Sequence, residues 1–451
     1  DVCSSDLSTM VIPPVGIGYL AEHLRARGYA APVVDMNIEM YKVAGPRERR
    51  AWELDRKNIW LDQGTLDELL HSYREPVERC LERVLSLEDH LIGFTVLHSR
   101  ELIVTEMIRR IRQAAPERRI VLGGPLFSGP GLRHNFSVHC DYDWAVVGEG
   151  EIALELLLRW LGEERGDPPS GAVPGAYMRK EILGPEPPKT PHPPIVPLDQ
   201  LPWPRYGDLA AGDYLHSDPF PVVWSRGCPG RCAFCESWRI WGKFRGRTPE
   251  HIHAELEHIT REFGHRHVAV FDAVINANLE YLEGVADRIT SRGPSIEWEG
   301  NFIASSHMTE QLYAKLHRSG CRRVYFGLES GSPKVMQLMK KPFSLETVER
   351  NVRMAHEQGI DPYVNIITGF PGEGEREFEE SMEFLRRNSD ALAGVEFITE
   401  CQIPEGTDLM LHPERYGVVM PEDFQGFRWH TEDGTNTLEV RQQRSRIMHE
   451  E

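Results

Sequence analysis

The sequence lacks most of what would set it apart from an ordinary globular enzyme. It has no apolar run near the ~20 residues a membrane helix needs; uncharged stretches such as Ile120 to Leu132 fall well short of that, and the longest, Leu7 to Ala21, has only 15 residues. No charged-then-apolar signal segment opens it. Basic charge is in deficit, 51 Lys and Arg against 69 Asp and Glu, and the net charge of −18 argues against broad contact with nucleic acid or anionic lipid. Cysteine is scarce, 8 in 451 residues, which excludes a disulfide scaffold. The expectation is a cytoplasmic protein with no membrane span and no nucleic-acid partner. At 40% hydrophobic and 27% charged residues, the length suits two or three domains that each bury their own core.

Strands and helices alternate. Gly16 to Gly28 has helical apolar spacing closed by a glycine cap, and "APVVDMN" after it reads as a buried strand. A charged, helical insertion fills 43–89. Then "HLIGFTV", "RRIVLGGP" and "WAVVG" read as strands separated by helices, the pattern of a doubly wound parallel sheet (Rossmann-like α/β). Residues 163–219 are rich in proline and read as a linker, with a small strand pair near Gly175 to Leu183. From 220 to 410, six strands interleave with five helices, which predicts an incomplete β/α barrel (TIM-like) with its active face at the strand C-terminal ends. Both termini look unnatural: 1–7 reads as a foreign leader ahead of a first domain (8–162) missing its first strand, and 411–451 as an incomplete C-terminal segment.

Three of the cysteines stand together. Cys228, Cys232 and Cys235 form CxxxCxxC directly after a predicted strand, in a loop with Gly227, Pro229 and Gly230. Three thiolates can hold three irons of a [4Fe-4S] cluster and leave the fourth iron open. The alternatives are a zinc knuckle, which prefers four closed ligands and has only His251 and His253 nearby at a poor spacing, or three unrelated core cysteines.

The run "CPGRCAFC", with Phe234 before the last cysteine, resembles the signature of the radical S-adenosylmethionine (SAM) superfamily. The resemblance implies that an open iron chelates SAM and that an electron from the cluster cleaves it to a 5′-deoxyadenosyl radical. It also implies SAM contacts at Phe234, at Glu329 and Ser330 in "FGLESGS", and at Asn365 and Thr368 in "VNIITGFPGE". At Phe271 and Asp272 the sequence "FDAVINAN" departs from the Gly-Gly-Glu-like run common in the family. For Glu329 and Ser330 the competing reading is a cap or surface role, and for Asn365 and Thr368 a backbone partner.

The first domain is similar to the cobalamin-binding domain that precedes many radical SAM barrels. That similarity implies cobalamin contacts at Asp35, Ser99, Gly123, Gly124, Pro125, Gly148, Glu149 and Gly150, the predicted strand ends. The bland reading of the glycines is tight turns. The DxHxxG sequence that supplies a lower axial histidine is absent, and His98, His134 and His139 do not reproduce it, so no histidine ligand is expected. Arg226, Arg231, Arg239, Lys243, Arg245 and Arg247 form a basic collar around the cysteines, readable as a solvated face or as a dock for a flavodoxin- or ferredoxin-type electron donor. Trp224, Trp238, Trp241 and Trp298 read as core first and cavity lining second.

Taken together, the resemblance implies a cobalamin-dependent radical SAM enzyme that methylates an unactivated carbon or phosphorus of a small molecule. The competing readings are a cyclase or ring-rearranging enzyme with the same cofactors, a non-catalytic electron-transfer or cobalamin-carrier protein, and a zinc-stabilised binding module.

Overall fold

The computed structural model describes residues 13–45, 48–52, 60, 62–87, 91–97, 100–163, 166–184, 196–209, 214, 219–421 and 426–451. The chain divides into two compact units, one ending at Ser217 and the other beginning at Asp218. The expected leader and Ser99 lie outside the described residues.

The first unit runs α1 (Val15–Arg25), α2 (Met36–Val43), α3 (Gln63–Ser72), α4 (Arg74–Ser86), β1 (Leu91–Thr95), α5 (Glu101–Ala114), β2 (Arg119–Gly123), α6 (Pro130–His139), β3 (Trp144–Val146), α7 (Gly150–Glu163), β4 (Ala176–Met178) and α8 (Arg179–Ile182). Its sheet has the order β1-β2-β3-β4, the first three parallel and β4 antiparallel on the edge. Alternate residues of the central strands enter two separate cores, as a sheet covered on both faces requires. Ile120, Leu122 and Ala145 pack with Met107, Ile108 and Ile111 of α5 and with Leu66 and Leu70 of the insertion. Val121, Trp144 and Val146 pack with Ala153 and Leu157 of α7. The insertion is therefore part of the core; Trp52 sits edge-on to both Trp60 and Tyr73, at 5.4 and 5.6 Å.

Two expectations are corrected here. "APVVDMN" is not a strand: residues 31–35 pair with no sheet, and α2 begins at Met36. The Val33 N–H donates to the Asp208 carboxylate at 3.0 Å, so a side chain takes the place of a ladder partner. The proline-rich stretch is not a bare linker either. Residues 176–178 form the edge strand of this sheet, 179–182 are helical rather than a second strand, and Val196, Leu198, Leu201 and Tyr206 are buried.

The second unit runs β5 (Phe220–Val222), β6 (Ser225–Arg226), α9 (Ser237–Trp241), β7 (Arg245–Gly246), α10 (Pro249–His258), β8 (His267–Val270), α11 (Leu279–Arg292), β9 (Glu297–Phe302), α12 (Glu310–Arg318), β10 (Cys321–Glu329), α13 (Pro333–Leu338), α14 (Leu345–Glu357), β11 (Asp361–Thr368), α15 (Glu375–Arg387), β12 (Gly394–Glu400), α16 (Asp408–Leu411), β13 (Val418–Val419), β14 (His430–Thr431) and α17 (Leu438–Glu450). Six parallel strands in the order β12-β11-β10-β9-β8-β5 make the expected partial barrel. Along β10 and β11 buried residues alternate with half-buried ones, so Val324, Phe326, Val364 and Ile366 pack while Tyr325, Asn365 and Ile367 share the more open face. The segment after 411 is ordered into α17, which is capped by Thr437 and packs on β11 and β12.

Candidate functional site

The three cysteines lie in the turn between β6 and α9. Gly227 opens this turn at φ +91°, and a side chain there would stand 2.3 Å from the carbonyl oxygen of Lys243, so only glycine fits. The strand before it is tied by Asp272, whose carboxylate accepts the Trp224 N–H at 2.9 Å and the Ser225 hydroxyl at 2.6 Å. Ala233, between the second and third cysteines, is held on both sides. Its N–H donates to Met339 O at 2.9 Å and its carbonyl accepts the Leu409 N–H at 3.0 Å.

All three thiols are free. A methyl group placed on Gly230 would stand 3.4 Å from Cys228 Sγ and 3.8 Å from Cys232 Sγ, so these two sulfurs flank one small space. Burial pushes all three thiols up, Cys232 to about 11, while the charge on Lys341 pulls each of them back. Among the described residues no three His, Cys, Asp or Glu converge as the ligands of a single ion would. His251 and His253 are built into α10, and His253 Nε2 lies 2.7 Å from Arg292 O. Three free thiols, two of them flanking one small space and all three under the charge of Lys341, suit a polynuclear cluster, whose sulfurs sit further apart than the ~2.3 Å bonds of a zinc site allow.

Lys341 is the residue that the sequence did not disclose. Its ammonium donates to Gly327 O at 2.7 Å and to Glu329 Oε1 at 3.2 Å, and stands 5.3 Å from the centre of the Phe234 ring. Burial works against its charge, but Glu329 and the thiol sulfurs hold its pKa above the ordinary value. Lys340 beside it has φ +58° and pairs outward with Asp408 at 2.6 Å. Which of two adjacent lysines turns inward is decided by this backbone reversal.

The expected SAM residues divide into two groups. Phe234 and Glu329 gather around Lys341. Asn365 stands on the open face of β11, and its Oδ1 is buried with no hydrogen-bond partner, an orphan acceptor available to a ligand. Ser330 and Thr368 are committed elsewhere. Ser330 is fully buried and bonded to Ser381 Oγ and the Ser332 N–H, while the Thr368 hydroxyl reaches Arg441 O at 3.3 Å on the packed face. Both are therefore internal fasteners. Glu329 itself has φ +69°, the left-handed region.

The basic collar is smaller than the sequence suggested. Arg247 is buried and 3.5 Å from Glu255 Oε2. Arg239 donates to Glu405 O, and Arg226 lies over the Trp241 ring. Arg231 and Lys243 stand exposed. Trp224 and Trp298 are core, with ring centres 5.4 Å apart.

In the first unit the parallel sheet brings Gly123, Gly124 and Pro125 after β2 to the same edge as Gly148, Glu149 and Gly150 after β3. Gly124, at φ +103°, approaches the chain after β1 so closely that a methyl would stand 2.8 Å from Val96 O. Asp35 is not at a strand end. Its carboxylate caps α2 through the Asn37 and Ile38 N–H groups and accepts the Tyr214 hydroxyl at 2.9 Å.

Residues 222–385 match the family described as the radical SAM superfamily. The chain is 30% identical over 272 residues to an uncharacterized methyltransferase of Pyrococcus horikoshii, covering 59% of this chain and 58% of that protein. It is 23% identical over 454 residues to the cytidylyl-2-hydroxyethylphosphonate methyltransferase of Streptomyces wedmorensis, covering 91% and 79%. Among solved structures it superposes with a TM-score of 0.70 on the radical SAM methyltransferase TsrM from Kitasatospora setae, determined with cobalamin and a [4Fe-4S] cluster bound. That match covers 94% of this chain and 80% of the other at 17% identity. The second unit is thus a radical SAM domain on a partial barrel, preceded by a parallel α/β unit. Residues 222–385 carry the radical SAM match, and the chain as a whole shares its fold with the cobalamin-bound TsrM structure.

Proposed function

We propose that this chain is a cobalamin-dependent radical SAM enzyme that methylates an unactivated carbon or phosphorus centre of a small molecule. The observation that carries the reading is the triad of free thiols faced by buried Lys341, with Glu329 and the orphan Asn365 acceptor on the neighbouring strands. Cys228, Cys232 and Cys235 would hold three irons of a [4Fe-4S] cluster, which when bound supplies the electron that splits SAM into methionine and a 5′-deoxyadenosyl radical. Cobalamin, when bound by the first unit, supplies the methyl group.

The remaining work falls to side chains. The Lys341 ammonium, fixed by Glu329 and Gly327 O, offers positive charge to the carboxylate end of SAM beside the cysteine turn. Asn365 Oδ1 accepts from a ligand N–H or O–H, and Phe234 closes the turn against the barrel. In the first unit, Gly123 to Pro125 and Gly148 to Gly150 lie together at the C-terminal ends of β2 and β3, the edge where a corrin would bind. Exposed Arg231 and Lys243 suit an acidic one-electron carrier of the flavodoxin or ferredoxin kind, in keeping with a cytoplasmic setting. Methyl transfer is favoured over cyclisation by the methyltransferase relatives.

The test is anaerobic reconstitution of the whole chain. Iron and sulfide should reach about four each per chain, a corrin spectrum should survive gel filtration, and SAM should yield 5′-deoxyadenosine. C232A should lose most of the iron. A wild-type chain that takes up zinc but no sulfide defeats the proposal.

A further inference from the structure

We propose that the C-terminal helix α17, acting through Asn436 and Phe370, positions the turn that carries Cys228, Cys232 and Cys235. The inference rests on the reading of those cysteines as cluster ligands. Arg441 of α17 is fully buried, with its guanidinium 3.9 Å from the Trp429 ring centre. It donates to Phe427 O at 2.6 Å, Trp429 O at 3.0 Å and Asn436 Oδ1 at 3.1 Å. The Asn436 amide, fixed in this way, donates to Gly369 O at 2.9 Å.

Gly369 follows β11 at φ +72°, and a methyl there would stand 2.2 Å from Arg441 Cγ, so helix and turn are fitted with no space between them. From the other side the Gly369 N–H donates to Glu373 Oε1 at 2.7 Å, and Arg444 donates to that same oxygen and to Glu373 O, both at 3.1 Å. The turn held by these bonds carries Phe370. That ring is fully buried and edge-on to Phe234, at 6.3 Å and 78°, and to Tyr416, at 6.1 Å. Phe234 lies between Cys232 and Cys235, and the neighbouring Ala233 carbonyl is held by the Leu409 N–H. Two fixed points of the cysteine turn, the Ala233 carbonyl and the Phe234 ring, thus depend on residues that follow β11.

Between Cys228 and Glu236 the turn has no helix or strand of its own. Three sulfurs that share one cluster must be held to about half an ångström, and the chain that carries them gets this rigidity from what packs on it. A network of buried polar groups joined in this way acts as such a bracket, because moving Asn436 or the Arg441 Nη groups leaves their partners unsatisfied, although Arg441 Nε itself has no partner. Asn436 and Phe370 are positioning residues in this sense, since neither touches a cysteine.

The experiment uses N436D and F370L in the whole chain. N436D keeps the acceptor for Arg441 and removes the donor to Gly369 O; F370L removes the ring and leaves every hydrogen bond in place. R386A, which breaks the exposed ion pair of Arg386 with Glu451 at the far end of the same helix, is the control. Hydrogen exchange of the 232–236 amides is followed in the cluster-free protein, and iron loss to a ferrous chelator after reconstitution. Both variants should speed exchange of these amides and iron loss about tenfold, leave the β8 to β10 amides unchanged, and differ in this from R386A. If N436D loosens the whole unit, F370L decides. Wild-type exchange and iron retention in F370L would overturn the positioning role and leave the cluster reading standing; a wild-type chain that binds no iron and sulfide removes both.

Discussion

Lys341 and Glu329 meet at 3.2 Å with both side chains almost closed to solvent, at 6% and 13% exposure. A pair this enclosed is costly to break, because the charge left behind keeps its burial and loses its partner, on the order of 3 kcal/mol. K341M is therefore expected to lower the melting temperature of the cluster-free protein by several degrees, and K341R to recover part of it. The thiols report the same charge. Burial raises them and Lys341 offsets it, so K341M should slow alkylation of Cys228, Cys232 and Cys235 at pH 8 by about threefold to tenfold as their thiolate fraction falls. Unchanged alkylation rates would remove Lys341 from the cysteine site.

Asn365 allows a test with opposite signs in the free and bound states. Its Oδ1 is buried and unpartnered, so N365L removes an unsatisfied acceptor and should leave the free protein as stable or about 1 kcal/mol more stable. If the oxygen accepts from SAM, the same change should weaken SAM binding about tenfold, measured by equilibrium dialysis on reconstituted protein. Loss of stability without loss of binding would make Asn365 a structural residue.

Gly124 separates the needs of the turn from those of a cofactor. With φ at +103° and Val96 atoms under 3 Å from any added methyl, G124A should cost the first unit about 2 kcal/mol or more. The second unit should keep its own unfolding transition and its iron. A G124A protein with two unaltered transitions and full cobalamin retention would mean that the turn relaxes without consequence.

Much of this architecture can be read from local pattern. The barrel helices announce their starts: Thr248, Asn278, Thr309 and Ser344 each accept a hydrogen bond from the first turn of the helix that follows. The cysteine spacing and its glycines are equally local. What escaped depends on partners far along the chain. "APVVD" has strand composition, but the Val33 N–H finds Asp208, 175 residues away. Ser330 and Thr368 look like ligands in their own strands until Ser381 and Arg441 are seen to take their hydroxyls. Arg441 and Arg444 of the polar helix α17 are buried because carbonyls and Glu373 receive them. Lys340 and Lys341 are indistinguishable until the backbone turns between them.

Asp272 links the barrel to the cysteine turn and gives it a pH dependence. Its carboxyl is completely enclosed, and burial raises it to about 7 although Trp224 and Ser225 donate to it. The unfolded chain titrates near the ordinary carboxylate value of about 4. A folded pKa above the unfolded one means that the folded state binds the proton more tightly. The stability this contributes is complete below pH 4 and is lost as pH rises through 7, by a few kcal/mol at most. The second unit should therefore be more resistant to urea at pH 6 than at pH 8. In D272N, where the side chain cannot ionise and its oxygen can still accept the Trp224 N–H, the difference between the two pH values should shrink, and the remainder belongs to Glu373, which burial likewise raises to about 7. A wild-type protein with equal urea midpoints at both pH values would show that Asp272 is ionised in the fold, with its two donors sufficient to hold the charge.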